Sequence, residues 1–141
     1  MDHKNIKVAV LTSARLVLGW MFFWAFLDKT FGLGFATKAE DAWLNGGSPT
    51  AGFLGNAVHG PLAGIYHSMA GNPVVDVLFM AGLGLVGLCL LLGIGLRVAG
   101  FSGALMVLMM WSSLLPLENN PIVDEHILYA VIFLGIAYSD A

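Results

Sequence analysis

The chain has 141 residues, 58% of them hydrophobic and only 11% charged, with a formal charge of -3 and a mean hydropathy of +0.84. Soluble domains carry about 25% charged residues, and a chain this small cannot hide so much apolar surface in one aqueous core. With 6 Lys+Arg there is no basic patch for nucleic acid, and the single Cys89 excludes an internal disulfide, a CxxC pair and an all-cysteine metal site.

Lys4 and Lys7 precede an apolar stretch, as in a signal peptide. Arg15 interrupts that stretch, however, and Trp20, Phe22, Phe23 and Trp24 stand where small cleavage-site residues belong. The segment reads as a retained first helix. A spanning helix needs about 20 mostly apolar residues. Four stretches meet this, at about 6–31, 73–96, 98–117 and 121–138. The expected fold is an all-α, single-domain membrane four-helix bundle over 1–141.

Asn72-Pro73 and Asn120-Pro121 pair a capping side chain with proline at the first helical position, and start the second and fourth spans. Ser48-Pro49 has the same form inside the loop 36–72. In that loop Thr37-Lys38-Ala39-Glu40 fits a capping box that opens a short helix, and Asn45-Gly46-Gly47 would stop it. Phe53, Leu54, Ala57 and Val58, then Leu62, Ile65, Tyr66 and Met69, recur at helical spacing. They predict two short amphipathic helices on the membrane surface or capping the bundle. The distribution of Lys and Arg places both termini in the cytoplasm, with Arg97 as an anchor there.

Four spans put the 36–72 loop, the end of the first helix and the segment 118–126 on one membrane face. That face collects Asp28, Lys29, Trp43, Asn45, Ser48, Glu118, Asn119, Asn120, Asp124, Glu125 and His126. Ionisable groups at membrane depth are costly and usually line a wet cavity or pair with one another. The face is therefore either a polar pocket, with His126 and Asp124 moving a proton, or an ordinary membrane–water boundary with carboxylates at a helix N-terminus. Arg15, Gly19, Phe22, Phe26 and Lys29 form a stripe with a cation at each end. It reads as a groove for an anion or a quinone carbonyl, or as an Arg that snorkels or pairs in the core.

Gly82-Leu83-Gly84-Leu85-Val86-Gly87 matches GxGxxG but lies inside an apolar helix. With Gly93, Gly95, Gly100 and Gly103 it reads as helix-packing surface, within the chain or between copies. His3, His59 and His67 lack ligand spacing, so no metal is assigned, and no haem or flavin signature is present.

Ala14-Arg15-Leu16-Val17-Leu18-Gly19-Trp20 through Phe26-Leu27-Asp28-Lys29-Thr30-Phe31-Gly32 resembles the opening of the DoxX/DoxD family. The segments Ala42-Trp43-Leu44-Asn45-Gly46-Gly47-Ser48-Pro49-Thr50 and Leu117-Glu118-Asn119-Asn120-Pro121-Ile122-Val123-Asp124-Glu125-His126-Ile127-Leu128-Tyr129 resemble its DoxD-like branch. The resemblance implies four transmembrane helices. It also implies a small membrane subunit of a quinone-linked oxidoreductase that takes electrons from thiosulfate or a similar sulfur compound, working with a second subunit. In that reading Arg15 and Lys29 hold the anion or a quinone carbonyl, and Asp28, Trp43, Asn45, Glu118, Asn119 and Asn120 complete the site. A small-anion or acid carrier and a non-catalytic scaffold subunit are the alternatives.

Overall fold

A computed structural model describes residues 2–51, 63–113 and 125–139. All regular structure among them is helical: α1 (His3–Phe31), α2 (Ala63–Met69), α3 (Pro73–Leu92), α4 (Leu96–Ser113) and α5 (Glu125–Ala137), with two 3-10 turns at Ala39–Asp41 and Trp43–Asn45. Helices α1 and α3 are long and apolar enough to cross a membrane. At about 1.5 Å per residue they measure about 43 and about 30 Å, against a bilayer core of about 30 Å. Helices α4 and α5 are shorter apolar helices.

The helix ends follow from local chemistry. The Asp2 side chain caps α1 by accepting from the Asn5 N–H, and Asn72 caps α3 by accepting from the Val74 N–H at 2.9 Å. Pro73 follows at the first helical position, where its missing N–H costs nothing. Helix α1 stops at Gly32 and α3 at Gly93, both left-handed, with φ of 67° and 73°. A side chain would strain either position. The Asn120-Pro121 start predicted for the last helix lies outside the described residues.

Helices α1 and α3 pack antiparallel. Gly19 meets Leu90 and Leu91, Gly87 meets Phe23, and Gly84 meets the Phe26 ring. A Cβ on Gly87 would lie 2.6 Å from the Phe23 backbone nitrogen. Helices α4 and α5 pack the same way, with Gly100 on Ala137 and Gly103 on the Phe133 ring. Glycine brings the backbones close enough for dispersion contact along the seam. The two pairs join around Phe22 and Phe133, edge-on at 5.2 Å, with Met80, Leu90, Val107 and Ile136 fully buried beside them.

The GxGxxG glycines are thus packing residues, as expected. Gly93 and Gly95 are not: both have positive φ and form the tight turn between α3 and α4. That turn ends α3 at Leu92 and starts α4 at Leu96, so the boundary falls before the predicted 96/98 break.

The outside of the bundle is as apolar as the inside. Val17, Leu78, Leu85, Val98, Leu105 and Val131 are all at least 60% exposed. Each would gain about 1.5–3 kcal/mol by leaving water, and soluble monomers rarely expose apolar patches of this extent. The long apolar helices and this surface point to a membrane location.

The loop after α1 departs from the expected capping box. Lys38, not Thr37, precedes the first turn, and no side chain caps it. The predicted single helix is instead two 3-10 turns broken at Ala42, whose side chain is buried. The stop does fall at Gly46. The predicted helix through Phe53 and Val58 lies outside the described residues, whereas Ile65, Tyr66 and Met69 lie in α2.

Candidate functional site

The C-terminal ends of α1 and α4 and the N-terminal ends of α3 and α5 share one end of the bundle. Two buried carboxylates organise the chain there. Asp28, 2% exposed in the last turn of α1, accepts from the backbone N–H groups of Phe35, Ala36 and Thr37 at 3.3, 2.8 and 3.0 Å. Charge-assisted bonds of this kind are about twice as strong as neutral ones. They fold the chain back over the helix end, and Phe35 lies edge-on against Trp24 at 5.0 Å.

Asp76 is the second carboxylate and is also buried. Its Oδ1 accepts from the Ser48 hydroxyl at 2.8 Å, and from the Thr50 hydroxyl and backbone N–H. Asp76 also stands in the first turn of α3, where negative charge complements the helix dipole. It ties the 48–50 segment to α3.

Beside this second node lies a cavity of 280 Å³ between α2, α3 and α4. Its described lining is Pro49, Thr50, Tyr66, Met69, Val75, Leu78, Phe79, Met106, Met109 and Met110. None of these carries a charge. Leu78 and Met109 are also exposed on the apolar outer surface, so the cavity opens sideways from the bundle. Ser112 donates to the Met109 carbonyl, which leaves the Tyr66 hydroxyl as donor to Ser112 at 2.7 Å and links α2 to α4.

The residues singled out in the sequence distribute unevenly over this end. Asp28 is consumed by the loop, as described. The Asn45 side chain donates to the Ala39 carbonyl at 2.8 Å and braces the two 3-10 turns. Trp43 packs against the hydrophobic core. Lys29 is half-buried in the last turn of α1. His126 is half-buried in the first turn of α5, its ring edge-on to Tyr129. Asp124, Glu118, Asn119 and Asn120 lie outside the described residues.

Arg15 sits at the other end. One of its guanidinium nitrogens packs against Gly93, at the C-terminus of α3, where a cation is favourable. Its Nε is buried with no partner among the described residues. Fourteen residues of unbroken helix separate Arg15 from Lys29, about 21 Å. One small ion cannot touch both, so the two-cation groove resolves into two distant groups. The stripe between them, Gly19, Phe22 and Phe26, is packing surface.

Sequence reasoning missed Asp76, Tyr66 and the methionine wall. The Ser48-Pro49-Thr50 motif was visible, but its acceptor lies 26–28 residues further on. Among the described residues no three His, Cys, Asp or Glu side chains gather to hold a metal ion. No family model, curated protein or solved structure matches this chain.

Proposed function

We propose that this chain is a multi-pass membrane protein, with α1, α3, α4 and α5 as spans, that binds a neutral lipid-soluble ring compound of the quinone class. The observation that carries the reading is the 280 Å³ cavity, uncharged in its described lining and open toward the apolar exterior through Leu78 and Met109. Ligand pockets are typically apolar with a few placed polar groups. Here those groups are the hydroxyls of Thr50 and Tyr66; their protons go to Asp76 and Ser112, so their oxygens would accept from a ring hydroxyl of the reduced, quinol form. An anion fits poorly, because desolvation in an uncharged site costs several kcal/mol with no cation to offset it.

A quinone bound there accepts electrons and protons. In line with the DoxX/DoxD resemblance, the chain would serve as the membrane subunit of a quinone-linked oxidoreductase fed by thiosulfate or a similar sulfur compound. His126, in the first turn of α5 at the same end, would manage the proton, together with Asp124 as read from the sequence. The separation of Arg15 from Lys29 leaves the anion-carrier alternative without its motivating pair of cations.

The test is to purify the protein in detergent, extract it with organic solvent and look for quinone, then assay thiosulfate-dependent quinone reduction with its co-purifying partners. Bound quinone that is lost when Leu78 or Phe79 is changed to Trp supports the reading. Absence of both quinone and quinone reduction overturns it.

A further inference from the structure

The chain has seven methionines, and four of them line the one cavity described above: Met69 on α2 and Met106, Met109 and Met110 on α4. The α4 residues stand at i, i+3 and i+4, which places them on one helix face, and Met69 comes from the opposing wall. By contrast, Met80 is in the fully buried core and Met21 lies on the outer surface of α1. Methionine is often an adaptable apolar filler. Its thioether is also a soft, neutral donor that selects Cu(I) over harder ions.

The surroundings favour a cation. Thr50, on the cavity wall, donates its hydroxyl to the buried Asp76 carboxylate, so the charge directly behind that wall is negative. The described lining offers no His, Cys or carboxylate for zinc and no oxygen cluster for magnesium or calcium. Met106 rests its Sδ against Gly82 on α3, and three unbranched bonds per side chain allow a thioether to turn toward the cavity without moving the backbone.

We propose that Met69, Met106, Met109 and Met110 form a thioether site for a soft monovalent cation, Cu(I) or its surrogate Ag(I). The inference does not rest on the quinone reading, since it concerns the sulfur atoms of the wall and is read out with metal alone. Thioethers do not titrate, so binding should persist from about pH 8 down to about pH 5, where histidine and thiol ligands are lost to protons.

The experiment titrates the purified full-length protein anaerobically with Cu(I) against a chromogenic chelator. The expected result is about one equivalent per chain, unchanged across that pH range and retained in Cys89→Ser. Met106→Leu/Met110→Leu should weaken it by at least the about tenfold to hundredfold seen when even supporting groups of a metal site are lost. Leucine conserves volume, and circular dichroism verifies that the variant keeps its helices. Three results would overturn the site: no stoichiometric Cu(I) uptake by the wild type, uptake unchanged in the double leucine variant, or uptake abolished by Cys89→Ser or by acidification.

Discussion

Helix α3 meets α1 and α4 in opposite ways. Against α1 it presents Gly87 to backbone atoms, so that a single added methyl would stand 2.6 Å from the Phe23 nitrogen. Against α4, near the loop end, it presents Val75, Leu78 and Phe79 across a cavity walled by methionine. At Gly87 the first interface sets backbone against backbone, with no side chain between them to give way. The second has long, unbranched side chains and open volume. The same small membrane-like bundle therefore contains a seam that fixes the frame and a wall that can adapt to an occupant.

The contrast can be broken by mutation. Gly87→Val should cost about 3 kcal/mol or more, because backbone cannot retreat as a side chain can. Unfolding of the detergent-solubilised protein by heat or denaturant would measure it, and a loss below about 1 kcal/mol would mean the seam is softer than the geometry implies. Asp76→Ala should cost about 2–3 kcal/mol by leaving donors from Ser48 and Thr50 without their acceptor. It should also raise proteolysis near residue 48, whereas Asp28→Asn should raise it near Phe35. Met109→Leu should stay under about 1.5 kcal/mol, since a volume-conserving swap in an adaptable wall is tolerated.

Gly82→Ala sharpens the comparison further. Its new methyl would meet the flexible end of Met106, with Sδ at 2.6 Å, rather than backbone. The side chain should swing aside for about 1 kcal/mol or less, and retention of any cavity occupant should change more than stability. Arg97→Ala, on an exposed residue just inside α4, should move stability by no more than about 0.5 kcal/mol.

What could be read from the sequence was what is encoded locally. Asn72-Pro73 announces a capped helix start, Gly46 announces a stop, and the long apolar runs announce α1 and α3. The close-packing role of Gly82, Gly84, Gly87, Gly100 and Gly103 follows from small residues in apolar helices. The candidate site was less legible, because its parts meet only after folding. Asp76 looks like an ordinary first-turn acid until Ser48 and Thr50 arrive from the loop. Met69 and the α4 methionines are about 40 positions apart and share a wall only once α2 docks. Polarity drew attention to Asp28 and Asn45, whose hydrogen bonds instead hold their own loop together.

Arg15 and Asp28 mark the two ends of the length over which α1 follows α3, about 20 Å apart. Arg15 packs against the turn that ends α3, whereas the amides that hold Asp28 belong to the chain leaving α1 and travel with it. A slide of α1 by one turn, about 5.4 Å, would strip the Gly93 contact and leave the Asp28 cap intact. The height of α1 against α3 is therefore pinned from the Gly93 end, and the loop that Asp28 gathers rides on the helix as a fixed cap.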